Sequence, residues 1–217
     1  MTEKLANPLQ STPTSRRKFC RVSLLTTAAF ALANSPIASQ LLKKARAAAP
    51  DLIHDTLNGL LAFIVPGPDA YSQAQGVTTP ELGGVDASVS EVLIQTLDLS
   101  VPFLPQFSAV VAATLNQLAQ VVNPSGAGPF TSPFSNLSYA QKVGVLQIMD
   151  ATDSLKALGG TLPAFVAFLC FSDAGTFDPV TRTVTGMPVG WTISNYTGVS
   201  DGRDEFQGYY LNRRHAG

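Results

Sequence analysis

Apolar side chains recur through "DLIHDTLNGLLAFIVPG" (51–67) at positions 53, 57, 60, 61 and 64. Steps of three and four place them on one face of an α-helix, and Pro66-Gly67-Pro68 stops the pattern. A second stretch, "VDASVSEVLIQTLDLS" (85–100), predicts another helix with Asp86 or Ser88 as its N-cap. The third, from about Pro105 to Val122, is apolar on most sides, which predicts a central place in a bundle. "LSYAQKVGVLQIMDATDSLKALG" (137–159) carries the clearest start signal. Ser138 and Gln141 have the spacing of a capping box, and Leu137 stands at the staple position. Gly159-Gly160 reads as its end. "TLPAFVAFLCFSDAG" (161–175) predicts a fifth helix with Pro163 in its first turn. Its near-continuous apolar run marks it as the most buried element, and it is too short to span a membrane.

Two stretches dense in Gly, Pro and Ser, 66–84 and 123–136, separate these helices. The first is too long for a simple connection, and loops of that length are usually functional or mobile. Beyond Gly175 the texture shifts to Gly, Thr and aromatic residues, with Val180, Arg182 and Val184 suiting a short strand pair. The expectation is an all-α fold, a small bundle of about five helices with an irregular, aromatic-rich C-terminal segment, all within residues 48–217.

Residues 1–47 read differently. Eight basic residues and one acid fall in the first 46, a net of +7, whereas from Ala48 onward six basic and fourteen acidic residues give −8. Arg16-Arg17 in "SRRKFCR" precede an apolar run of some 12 residues from Val22, and Ala45-Arg46-Ala47 forms an A-x-A cleavage pattern before Ala48. A basic start, a short apolar run and small residues at a cut site are the parts of an export leader, and the arginine pair is the twin-arginine signature. The expected localisation is therefore periplasmic or otherwise outside the cytoplasm, with the twin-arginine translocase as one partner. The basic "LLKKAR" before the cut is unusual for a cleavage region and leaves an uncleaved anchor as the alternative. Because this route carries folded cargo, the chain should hold a cofactor, fold before export, or travel with something that does.

The chemistry available to residues 48–217 is sparse. Cys170 is the single cysteine there, set in "FVAFLCF", where a small buried side chain is the ordinary reading. Two histidines, His54 and His215, cannot build a metal centre of the usual kind. A haem held by His54 and Met149 lacks a CxxCH attachment motif. No nucleotide-binding glycine motif or nucleophile elbow occurs, and a net of −8 repels nucleic acid. Asp201, Asp204 and Glu205 suit turn bonds and ion pairs better than acid–base catalysis. The expectation is no catalytic residue, no metal and no cofactor in this chain.

The C-terminal segment holds Trp191, Tyr196, Arg203 and Tyr209, residue types that dominate protein–protein hot spots. They are candidate partner anchors. The competing reading makes them plugs for the open end of the bundle.

Four stretches also resemble a known family: the Arg16-Arg17 leader, "LLAFIVPGPDA…QGV" (60–77), "LSYAQKVGVLQIMD" (137–150) and "GTFDPVTRTVTGMPVGWTISNYTGVSDG" (175–202). Together they look like the gluconate 2-dehydrogenase subunit 3 family, the small export-signal-bearing partners of flavin-dependent dehydrogenases. The resemblance implies a non-catalytic subunit. Its partner would be a large, FAD-bearing flavoprotein of the glucose–methanol–choline type, sometimes joined by a cytochrome c, that rides out on this chain's leader. The segments "NPSGAGPFTSPFSN" and "DEFQGYYLNRR" depart from the family pattern. Two alternatives from other classes are a free-standing exported binder of a small apolar ligand and a self-sufficient exported enzyme.

Overall fold

The computed structural model describes residues 40, 43–45, 48–101, 104, 106–172, 177–178, 181, 183–184 and 189–194. Over these the fold is all-α. Its elements are α1 (Pro50–Ile64), α2 (Ala70–Gln75), α3 (Val89–Ser100), α4 (Phe107–Val122), α5 (Tyr139–Ala151), α6 (Asp153–Phe171) and α7 (Val189–Ile193). A two-residue antiparallel ladder, β1 (Phe177–Asp178) with β2 (Thr183–Val184), pairs Phe177 with Val184 and so includes one end of the expected strand pair.

Helix α1 starts at Pro50, whose missing N–H costs nothing in a first turn. Its predicted stripe turns inward, with Leu57, Leu60 and Leu61 fully buried. Helix α4 is the true centre of the bundle, because eleven of its sixteen residues are buried. Its N-terminus is capped from another helix: Ser108 N–H donates to Asp98 Oδ1 of α3 at 2.8 Å. Ser88 stands at the N-cap of α3 but with φ 55° and ψ 34°. A side-chain cap needs extended backbone there, so its hydroxyl makes no cap bond. The Asp86 carboxylate instead accepts from Gly83 N–H at 3.0 Å.

The 66–84 segment is an ordered excursion. It contains α2, whose N-cap Asp69 accepts from the N–H groups of Tyr71 and Ser72. Its two ends meet where Gly67 approaches Gly83, so closely that a Cβ on Gly67 would lie 2.4 Å from Gly83 N. Only glycine permits that neck.

The largest departure from the sequence pattern lies in the last two long helices. The capping box of Ser138 and Gln141 is present, and Leu137 is buried. Yet α5 ends at Ala151, and α6 then runs through Gly159, Gly160 and Pro163. The chain turns at Thr152, whose carbonyl accepts from Leu155 and Lys156 N–H, both at 2.8 Å. Gly159 therefore terminates nothing. A Cβ there would meet Met149 Cβ at 2.9 Å, so glycine lets α6 lie against α5 at the corner. Joining both segments also makes α6, at 19 residues and mean hydropathy 1.5, long and apolar enough to cross a membrane by length and composition. Nor is it the most buried element, since only seven of its nineteen residues are buried, among them Leu162, Phe165, Val166 and Cys170.

Two glycines give opposite expectations on replacement by alanine. At Gly59 a Cβ would lie 2.3 Å from Ser135 Oγ and 2.9 Å from Ser135 Cα. Gly59→Ala should therefore destabilise by about 2 kcal/mol, despite alanine's better helix propensity. Gly144, in α5, faces open space. Gly144→Ala should stabilise by about 0.5–1 kcal/mol. Denaturant melts of the two variants check the pair, and equal effects would contradict the close approach at Gly59.

Candidate functional site

Of the residues singled out from the sequence, Arg16, Arg17, Ala47, Val180, Arg182, Tyr196, Asp201, Arg203, Asp204, Glu205, Tyr209 and His215 lie outside the described residues. Ala45 is described: residues 43–45 are helical, and Ala45 is only 5% exposed, packed into the core cluster. Beside it Lys44 Nζ donates to Gln117 Oε1 of α4 at 3.3 Å.

Trp191 lies on α7, which packs against α6. The docking is tight, because a Cβ on Gly190 would fall 2.6 Å from the carbonyl carbon of Phe171. Ile193 packs on the core, while Trp191 is half-buried.

Beside Trp191 the structure adds a surface that the sequence reading assigned to the interior. With Leu158, Leu162, Phe165 and Leu169 turned inward, the opposite side of α6 presents Gly160, Ala164, Phe168 and Phe171, all exposed. Phe168 is 38% and Phe171 55% exposed. The spacing of four, four and three makes this one face. It runs into a groove of about 380 Å³ lined by Phe63, Val143, Leu146, Ala151, Gly159 and Gly160, with Gln147 and Asp150 at the same site. Helical periodicity held the information, but an apolar residue on both faces of α6 hid which face was buried.

A second feature is a buried polar seam where the 123–136 segment meets α1 and α4. Asp55 Oδ2 accepts from Ser132 N–H and Thr131 Oγ1–H, each at 2.7 Å. Asn116 Oδ1 accepts from Ser132 Oγ–H at 2.7 Å and Phe134 N–H at 3.1 Å, while its Nδ2 donates to Thr56 Oγ1 at 2.8 Å. Ser135 Oγ donates to the Asp55 carbonyl at 2.6 Å. Tyr71 of α2 stacks on Phe130 with centroids 4.1 Å apart. Burial pushes its phenol up to about 12; Asn58 opposes the shift, and Asp55 adds to it.

Next to this seam lies Lys142 of α5, fully buried. Its Nζ donates to the Gly59 carbonyl at 3.0 Å and to Gln75 Oε1 at 2.9 Å, and stands 5.5 Å from the Phe134 ring centre. Burial lowers its ammonium to about 7, against a raising influence from Asp69. A lysine on a helix ordinarily reads as a solvated position, so nothing in the sequence pattern marked it.

Elsewhere the chemistry is quiet. Cys170 is buried, and burial pushes its thiol up to about 12, the inert state expected for it. His54 lies 3.4 Å from Glu91 across an exposed contact. Among the described residues no group of three or more His, Cys, Asp or Glu converges on a point.

The chain matches no protein-family model, no curated protein and no solved structure.

The seam yields a stability test. Asn116→Ala strands two buried donors and Thr56, and should cost about 3 kcal/mol. Its helix neighbour Gln117, whose bond to Lys44 is exposed, should tolerate alanine within about 0.5 kcal/mol. Chemical denaturation of both variants measures the contrast, and a mild effect at Asn116 would remove the seam from the core.

Proposed function

We propose that this chain is the non-catalytic small subunit of an exported, flavin-dependent dehydrogenase of the glucose–methanol–choline type. It assists assembly of the large subunit and carries it through the twin-arginine route. The observation that carries the reading is the exposed apolar face of α6, from Gly160 to Phe171, which runs at Gly160 into the α5–α6 groove. A 19-residue helix that buries one apolar face and leaves a second one open is suited to a protein partner. The four family-like stretches, the arginine leader among them, supply the kind of partner. FAD belongs to that large subunit, and a cytochrome c subunit is a further member of such complexes. The groove also suits the competing role, a binder of a small apolar ligand, and the two readings diverge on whether a protein partner is required.

Two experiments test the proposal. Phe168→Asp with Phe171→Asp places charge on the open face, where it leaves the buried stripe of α6 untouched. The variant should fold with a near-normal melting temperature yet lose co-elution with a larger yellow flavoprotein. A single well-packed aromatic anchor accounts for about 2 kcal/mol, roughly a 30-fold loss of affinity. Undiminished co-elution, or a stable complex with no flavin, would contradict the reading. The export half is read by fractionation: Arg16→Lys with Arg17→Lys keeps the charge and should trap the chain, and its partner with it, in the cytoplasm.

A further inference from the structure

The 66–84 excursion is fastened at two places. The first is the glycine neck, where Gly84 N–H donates to the Val65 carbonyl at 3.0 Å and Thr79 Oγ1 donates to the Pro66 carbonyl at 2.8 Å. The second lies at the far end of α2. Gln75, nearly fully buried, donates through Nε2 to the Ala62 carbonyl of α1 at 2.7 Å, and its Oε1 accepts from Lys142 Nζ. One amide therefore joins α2 to α1 and to α5, and its second bond depends on a buried amine.

The environment of that amine is one-sided. Its two hydrogen-bond acceptors are a backbone carbonyl and an amide oxygen, both neutral, and no carboxylate forms an ion pair with it among the described residues. A neutral amine has two N–H bonds, and both are used here. The ammonium carries a third, which has only the Phe134 ring to face. From α2 the charge that acts on Lys142 is Asp69, whose carboxylate is already engaged by Tyr71 N–H, Ser72 N–H and Ser72 Oγ–H. From α1 Lys142 meets the Gly59 carbonyl, with Asp55 one turn earlier and held by the 131–132 segment. From 123–136 it meets the Phe134 ring. On α5 itself the titratable residue one turn away is Tyr139, whose ring lies tilted by 41° against Phe63 with centroids 4.9 Å apart.

We propose that Lys142 and Gln75 form a proton-operated latch that holds α2 and the 66–84 excursion against α1 and α5 when the amine is neutral and releases them when it is protonated. A buried ammonium without a counter-charge gains most by reaching water, and the six-residue α2 carries the Gln75 amide that is bonded to it. The sign follows from the shift. Burial lowers the folded-state value from 10.5 to about 7, so the unfolded or opened chain binds the proton more tightly. Lys142 thus favours the closed state above its unfolded value, and that contribution is lost progressively as pH drops from 10.5 to about 7. The operating window includes neutrality.

Hydrogen exchange of the full chain at pH 8 and pH 6, corrected for the intrinsic rate, reads the latch directly. Protection of amides in 66–84 should drop by up to about tenfold at the lower pH, while the central helix α4 stays protected. Lys142→Met should give the same protection at both values. Gln75→Glu puts a carboxylate beside the amine, should hold the ion pair closed, and should likewise abolish the drop. Asp69→Asn separates titration of the α2 cap: it should keep the drop. A wild-type protein with equal protection at both pH values would overturn the latch. So would a drop that persists unchanged in Gln75→Glu or in a folded Lys142→Met.

Discussion

The fold depends on how α1 treats the polar residues inside its buried face. Asp55 and Thr56 sit directly before Leu57, and Thr56 one turn before Leu60, on the buried side of the helix. Leaving such groups unpaired costs about 1–3 kcal/mol apiece, and more for a carboxylate. The 131–135 segment removes that cost by bringing serine and threonine hydroxyls and two backbone N–H groups to Asp55, Thr56 and Asn116. The approach has to be close, and Gly59 allows it. An irregular Pro-, Gly- and Ser-rich stretch is thereby made part of the core between α1 and α4.

That constraint sets which surfaces remain for other work. One side of α1 is occupied by the 131–135 segment, another by α2 and the 66–84 excursion, and α3, α4 and α6 pack around the rest. Helix α6 carries the opposite imbalance. Apolar nearly all round, it meets α5, α3, α1 and α7 on one side and offers Gly160, Ala164, Phe168 and Phe171 on the other. The groove beside it has Phe63 of α1 among its lining residues, one position from the Ala62 carbonyl that holds Gln75. The proposed docking face and the proposed latch are therefore neighbours through α1, although each stands or falls on its own measurement.

Much of the architecture was legible where local chemistry decides structure. The stripe of α1, the capping box opening α5 and the apolar character of α4 each state a helix in a few residues, and the all-α fold follows from them. Legibility failed where a residue's role belongs to a distant neighbour. Gly159 carries the usual mark of a helix end, but its small size serves Met149 across the α5–α6 corner, and the helix continues through it. Pro163 was expected in a first turn and lies in the interior of the merged helix. Lys142 shows no sequence feature that separates it from a solvated lysine; its burial is created by α1, α2 and Phe134 together. The exposure of Phe168 and Phe171 was concealed by an apolar run that suggested complete burial.

The most direct test of the buried seam is native-state hydrogen exchange at two amides outside regular secondary structure, Ser132 N–H on Asp55 and Phe134 N–H on Asn116. If the 131–135 segment belongs to the core, both should exchange only through global unfolding, with an opening free energy equal to that from denaturant melts. Exchange through local opening, at a free energy several kcal/mol lower, would show that the segment lies on a core that stands without it and would contradict the account.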